Sequence, residues 1–158
     1  MLEFRRLLCL VIVLPFIAGC AEGEARPELC QVTGTVKIDG VPLAEASVIF
    51  EPQSLSTTTN PKYKRSSDAI TDAQGQFLMS TYGDKDGLPA GKYKVAVVKQ
   101  SRKNPPGMDP EMATEAQLAK VVVKNLIPAK YFDLATSGLE VEVTPTGMQP
   151  DVLELQSK

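Results

Sequence analysis

Apolar and polar residues alternate with a period of two over much of the chain after Gln31. In the clearest segment, 91–100, Tyr93, Val95 and Val97 share one face and lysines lie on the other. Such alternation is typical of strands with one buried face. The segments with this pattern are 32–38, 46–51, 69–71, 76–81, 91–100, 139–144 and 152–156. Because short polar turns separate them, we predict an all-β fold, a seven-stranded antiparallel β-sandwich.

Two segments interrupt the alternation. Residues 54–67 are long and polar and predict a surface loop. Asp109, Pro110 and Glu111 have the order of a helix N-cap, a first-position proline and a first-turn acid. We therefore predict a helix of about three turns over 112–123, weakened at its far end by three valines in a row. The sandwich would thus carry a short, partly helical insertion near 109–124.

The first 20 residues have the features of an export signal. Arg5 and Arg6 precede an apolar run, Leu7–Ile17, which is shorter than the roughly 20 residues that a membrane-spanning helix needs. Residues 17–20 read Ile-Ala-Gly-Cys and resemble the lipobox of bacterial lipoproteins. The resemblance implies cleavage before Cys20 and acylation of its thiol, with fatty acids such as palmitate. An ordinary secretory signal and an uncleaved signal anchor are the alternatives.

This interpretation divides the chain into three parts. Residues 1–19 are the predicted lipoprotein signal peptide, 20–30 a lipid-anchored tether, and 31–158 the β domain. Ala21 follows the cysteine, whereas in enterobacterial lipoproteins an aspartate there favours retention in the inner membrane. We therefore expect a membrane lipid anchor in the outer membrane or at the cell surface, facing the periplasm or the exterior.

Composition and charge remove several classes of function. The chain of 158 residues contains no histidine, which excludes Ser-His-Asp and Cys-His catalysis and zinc sites built on imidazole. Once the leader is removed and Cys20 is acylated, Cys30 is the one free cysteine, and we expect it to be structural. A net charge of −2 with interspersed acids and bases argues against nucleic acid as a partner. We expect no catalytic residues, no enzyme activity and no cofactor.

Three motifs occur in a fixed order. Residues 32–50 contain Val-Thr-Gly-Thr-Val, an Asp-Gly turn and Val-Pro-Leu-Ala-Glu-Ala-Ser-Val-Ile-Phe; 72–77 read Asp-Ala-Gln-Gly-Gln-Phe, and 88–95 read Leu-Pro-Ala-Gly-Lys-Tyr-Lys-Val. This order resembles the carboxypeptidase regulatory-like domain, a transthyretin-type (prealbumin-like) seven-stranded sandwich. The name refers to an accessory domain and implies no peptidase activity. Residues 127–131 and 136–139 are similar to the tails of small lipoproteins abundant in planctomycete bacteria.

The motif residues themselves suit a structural role. Gly40 and Gly75 permit the positive φ that tight turns need. Phe50, Phe77 and Tyr93 are of core size and fall on the inward side of the alternation. We expect these five residues to fold the domain and not to bind a ligand.

Few residues are candidates for a binding site. Asp84 and Asp86, two residues apart and followed by a glycine, are the carboxylates we considered for calcium, although an ordinary turn is the expected alternative and we expect no metal site. Tyr63, Tyr82 and Tyr131 lie in predicted loops and are the rings on which a sugar would stack. A small basic cluster near Lys99 predicts a solvated loop.

The expected function is that of a non-catalytic, lipid-anchored envelope lipoprotein that serves as a structural or interaction module. Its partners would be the membrane, through the N-terminal lipid, and a protein or glycan of the envelope. The alternative is a carbohydrate-binding module at the cell surface that uses exposed tyrosines in its loops.

Overall fold

The computed structural model of the protein describes residues 26–109 and 111–158, so the predicted signal peptide and Cys20 lie outside the described residues. Strands dominate the described part, and the predicted all-β class is confirmed. The strands are β1 Leu29–Cys30, β2 Thr33–Ile38, β3 Val41–Pro42, β4 Ser47–Leu55, β5 Ser67–Ile70, β6 Gln76–Leu78, β7 Leu88–Pro89, β8 Gly91–Val98, β9 Gln100–Lys103, β10 Val122–Asn125, β11 Leu139–Thr144, β12 Gly147–Gln149 and β13 Val152–Leu155. The helical elements are α1 Glu115–Leu118 and two 3₁₀ turns, Pro61–Tyr63 and Ala129–Phe132.

Five strands form the larger sheet, in the order β12-β11-β8-β4-β5. All neighbours in it are antiparallel. The longest pairing joins β4 to β8, from Ser47 opposite Val98 to Leu55 opposite Gly91. These are the segments with the clearest alternation, because one face of each strand is buried.

β2 is the centre of a smaller sheet. It pairs antiparallel with β3 and β6, but β13 lies parallel to it, with Val152 opposite Thr35. The last strand therefore departs from the antiparallel arrangement that we predicted. Side chains alternate in the same way in strands of either direction, so the sequence pattern carries no information on direction.

One core lies between the two sheets. The Phe50 ring on β4 is 5.9 Å from the Phe77 ring on β6 and 6.0 Å from the Tyr93 ring on β8, measured between centroids. All three side chains are buried, as predicted. Tilted aromatic pairs at such distances add stabilisation beyond the area that they bury.

The predicted turns have the expected backbone. Gly40 and Gly75 have φ values of +80° and +73°. A Cβ atom at Gly75 would lie 2.6 Å from the carbonyl oxygen of Val36, so only glycine fits there. Asp72 completes this turn, since its carboxylate accepts the backbone N–H groups of Gln74 and Gln76.

The segment between β8 and β11 differs from the prediction. β9 and β10 form an antiparallel ribbon, with Val122 opposite Lys103, and α1 is a single turn that begins after Thr114. The predicted helix over 112–123 is therefore wrong in its extent. The β-branched valines at its far end lie in or beside the ribbon, which their restricted side chains favour over a helix.

The number of strands in the sandwich is a further difference. Each of the seven predicted segments overlaps a strand, but a sandwich of seven strands is not confirmed. The additional strands are short, and two pairs of them, β1–β7 and β9–β10, form separate two-stranded sheets. β1 and β7 have two residues each, which is too few for any period to register in the sequence.

Candidate functional site

The loop that follows β6 is shaped by one carboxylate. Asp86 accepts the backbone N–H of Thr81 at 2.7 Å on one oxygen, and those of Tyr82 and Gly83 at 3.0 and 2.7 Å on the other. Burial acts to raise the pKa of Asp86, but these hydrogen bonds outweigh it and lower the pKa below its usual value. The carboxylate thus fixes the backbone that presents Tyr82.

These hydrogen bonds explain why the two candidate carboxylates differ. Both oxygens of Asp86 are occupied by amide hydrogens, whereas Asp84 is exposed and accepts no hydrogen bond from a described residue. Residues 26–109 and 111–158 contain no cluster of three or more metal-ligating side chains. The local geometry is that of an Asx-type turn.

Two of the three candidate tyrosines are buried. Tyr63 is 4% exposed and Tyr131 is 5% exposed. The hydroxyl oxygen of Tyr131 accepts the backbone N–H of Gln156 at 2.9 Å. The predicted exposure of these two rings is therefore wrong, because 3₁₀ turns point them into the core. Neither ring offers a face on which a sugar could stack.

Tyr82 differs from both, because its ring is partly exposed and flanked by cations. The guanidinium carbon of Arg26 lies 5.0 Å from the ring centroid, and that of Arg65 lies 5.8 Å from it. Both are cation–π distances, and arginine is the cation most often found in such contacts. The site therefore combines an aromatic face with two planar hydrogen-bond donors.

The other end of the Tyr82 side chain reaches into the core. Its hydroxyl is buried and has no hydrogen-bond partner among the described residues. Burial, and next the neighbouring Cys30 and Tyr82, raise the pKa of Tyr93 far above its usual range. Burial, followed by the charge of Glu28, also raises the pKa of the Cys30 thiol. Cys30 is buried, as expected of a structural residue.

No sequence pattern marks the two arginines as site residues. Arg26 falls in the predicted tether and Arg65 in the predicted loop 54–67. Neither belongs to a periodic segment, so only the folded chain brings them to the same ring. Lys62 and Lys64 lie close to Arg65 in the same loop, and this run of basic residues indicates a local positive charge there.

A second exposed feature is the ribbon formed by β9 and β10. All eight of its residues are exposed. The predicted basic cluster of Lys99, Arg102 and Lys103 lies in or beside this ribbon, together with Lys124. The exposed Val122 and Val123 lie opposite Lys103 and Arg102. Exposed valines are not expected of a loop that is merely solvated.

A shallow depression lies where β2 and β6 pair. Its volume is about 610 Å³, and its lining includes Asp72, Lys85 and Asp151. Asp72 is committed to the turn described above. The remaining charged groups belong to separate loops and form no catalytic constellation that the geometry supports.

The described residues include no helix that is both long enough and apolar enough to span a lipid bilayer. The predicted acylation site, Cys20, lies outside them, and so does the whole predicted signal peptide, 1–19. The described residues begin at Arg26, within the predicted tether.

Comparisons with known proteins yield one structural likeness. No protein-family model matches the chain, and no curated protein matches it significantly. A solved structure from Pseudomonas aeruginosa, described as a "putative carbohydrate binding protein", is similar over 84% of this chain and 90% of that chain, with a TM-score of 0.41 and 12% sequence identity. Similarity at this level assigns neither a family nor a ligand to the chain.

Proposed function

We propose that the protein is a non-catalytic lipoprotein, held to a membrane of the cell envelope through an acylated Cys20, and that its β domain is an interaction module. The order of charged, apolar and lipobox residues in 1–20 supports the anchor. Two or three acyl chains on one cysteine give far more stable attachment than a single chain would. The domain is proposed to be of the carboxypeptidase regulatory-like type, on the motifs within 32–95.

The tether limits how far the domain can move from the bilayer. β1 begins at Leu29, nine residues after Cys20. A fully extended chain spans at most about 3.6 Å per residue, so the domain stays within roughly 30 Å of the anchor. Such a protein meets its partners at the membrane surface.

The exposed ribbon is the observation that most supports an interaction role. Of the seven large hydrophobic side chains that are exposed in the described residues, Val122, Val123 and Leu126 lie in or directly after its second strand, and Met112 and Leu118 lie in the segment that joins its two strands. Clustered apolar residues at a surface mark interaction sites more often than scattered ones do. A free two-stranded ribbon is also only marginally stable, and a bound partner would stabilise it.

Two measurements test this function. Metabolic labelling with palmitate should mark the wild-type protein and not the Cys20→Ser variant. Pull-down from native membranes with the acylated protein should then recover a partner that is lost when Val122 and Val123 are both changed to threonine, which keeps the strand propensity. The matched control is Val41→Thr, at a site 62% exposed outside the ribbon. Unlabelled wild-type protein would disprove the anchor, and equal recovery with all variants would disprove the role of the ribbon.

A carbohydrate-binding module is the second candidate, and Tyr82 is the observation that favours it. Its partly exposed ring is the only one of the three candidate rings that a sugar could reach. On a glycan array, Tyr82→Ala should abolish binding, whereas Tyr82→Phe should retain it because the stacking face is kept. An array on which the wild-type protein binds nothing would rule this candidate out.

A further inference from the structure

Four basic residues lie at the end of the domain where the tether enters. They are Arg26, Lys62, Lys64 and Arg65, which we call the tether-end basic patch. β1 pairs with β7, which directly precedes β8, so Arg26 lies near the start of β8. The loop with the other three follows β4, whose last residue also pairs with the first residue of β8. The fold therefore brings residues that are far apart in sequence to one end of the molecule.

The two arginines of the patch are held but not neutralised. Arg26 and Arg65 both contact the Tyr82 ring, and both side chains are exposed. Neither forms an ion pair with a described residue. A guanidinium has five N–H donors, and a contact with a ring face uses none of them. Both exposed guanidinium groups can therefore donate to an anion next to Tyr82.

Asp86 and Glu28 do not pair with these arginines. Asp86 has both oxygens engaged with backbone N–H groups. Glu28 lies two residues from Arg26 without pairing with it. The ammonium group of Lys64 donates to the carbonyl oxygen of Gln53 at 3.0 Å, which fixes the position of a third cation. The patch thus contains four cations, one fixed by this hydrogen bond and two held against the Tyr82 ring.

We propose that the tether-end basic patch binds the phosphate groups of anionic phospholipids in the membrane that holds Cys20. The proposal rests on the anchor proposed above. Five residues separate Cys20 from Arg26, so this arginine remains within about 22 Å of the acylated residue. The planar fork of arginine matches the oxygens of a phosphate, and anionic lipid surfaces attract basic residues that lie within a Debye length.

This contact would orient the domain. The patch lies at the start of β8 and the β9–β10 ribbon follows the end of β8. Eight residues of strand span roughly 26 Å. With the patch on the lipid, the ribbon points away from the bilayer, toward partners in the envelope.

Trypsin cleavage of the acylated protein in vesicles tests the orientation. The protein is reconstituted into vesicles of phosphatidylcholine alone or mixed with phosphatidylglycerol, and cleavage is followed by mass spectrometry. Cleavage after Lys62 and Lys64 should be slower on the anionic vesicles. Each arginine that binds a lipid phosphate should contribute about a fivefold reduction in rate. Cleavage after Lys120, near the ribbon, serves as the internal control and should not change. High salt should abolish the difference.

Variants and competitors identify the occupant. Arg26→Gln should remove about fivefold of the protection, whereas Arg102→Gln on the ribbon should remove none. If cleavage after Lys62 and Lys64 is as fast on anionic vesicles as on neutral ones, the proposal is overturned. Protection on neutral vesicles by inorganic phosphate would assign the site to a free anion, and protection by oligogalacturonate to an acidic saccharide; either overturns the lipid as occupant.

Flotation separates this proposal from that of the anchor. Protein that floats with both kinds of vesicle but shows no protection leaves the anchor standing and overturns the patch. Protein that floats only with anionic vesicles supports the patch and disproves the anchor. Protein that floats with neither kind overturns both.

Discussion

The hydroxyl of Tyr93 donates a hydrogen bond of 2.7 Å to the carbonyl oxygen of Pro89, four residues earlier in the chain. Both residues are buried. Pro89 is part of β7, which pairs with β1, so this bond joins the point where the chain enters the domain to the central strand β8. Because burial raises the pKa of Tyr93, the hydroxyl keeps its proton and remains a donor.

Removing this donor should destabilise the domain. Tyr93→Phe removes this hydrogen bond to a buried carbonyl, which should cost about 0.5–1.5 kcal/mol of the free energy of unfolding. Urea unfolding followed by circular dichroism measures the loss. The matched control is Tyr82→Phe, because the Tyr82 hydroxyl is buried with no partner among the described residues and its removal should leave stability unchanged or raise it. Equal losses in the two variants would contradict this account.

The same tyrosine should make stability depend on alkaline pH. The folded pKa of Tyr93 lies above the unfolded value of about 10, so its contribution is complete below pH 10 and is lost as the pH rises toward the folded pKa. The advantage of the wild type over Tyr93→Phe should shrink by about 1.4 kcal/mol per pH unit in that range. Urea unfolding of both proteins at several pH values above 9 gives the slope. An advantage that does not change with pH would show that Tyr93 has the same pKa in the folded and unfolded states, and would contradict this account.

The sequence predicted the fold well where burial is one-sided. Phe50 and Tyr93 fall on the inward side of an alternating strand, and their burial followed directly from the pattern. The β9–β10 ribbon was missed because neither of its faces is buried, so no alternation marks it. The parallel pairing of β13 with β2 was missed because a period of two is the same in both directions.

The candidate site was less accessible to sequence reasoning. The predicted loop tyrosines were chosen for their position between strands, but Tyr63 and Tyr131 lie in 3₁₀ turns that direct them inward. Loop position does not determine exposure, because a large aromatic ring gains more from burial than a loop loses by turning toward the core. Arg26 and Arg65 meet only through the tertiary contact with Tyr82, which no local pattern encodes.

Asp86 should be the carboxylate on which the loop depends. Asp86→Asn retains one acceptor oxygen but places an N–H₂ group against backbone donors, which should lower the free energy of unfolding by about 1–3 kcal/mol. Asp84→Asn, at an exposed position two residues away, should change it by less than about 0.5 kcal/mol. Thermal or urea unfolding distinguishes the two. Equal effects would contradict the assigned hydrogen bonds.

The lowered pKa of Asp86 adds a dependence on acid. The stabilisation is complete above the unfolded pKa of about 3.9 and is lost as the pH falls through the lower folded value. The difference in the free energy of unfolding between wild type and Asp86→Asn should therefore shrink below about pH 4.

Because amide hydrogens occupy both oxygens of Asp86, millimolar calcium should leave the melting temperature unchanged. A rise in melting temperature that Asp86→Asn abolishes would restore the calcium hypothesis.

Cys30 should be protected from alkylation in the folded protein. Burial, and next the charge of Glu28, raise the pKa of its thiol, and only the thiolate reacts. At neutral pH, iodoacetamide should label the peptide containing Cys30 about tenfold or more slowly in native protein than in urea, as measured by mass spectrometry. Glu28→Gln is the control: it removes the minor cause of the shift and leaves burial in place, so the protection should persist. Native labelling as fast as that in urea would show that the thiol is accessible and that β1 does not stay paired with β7.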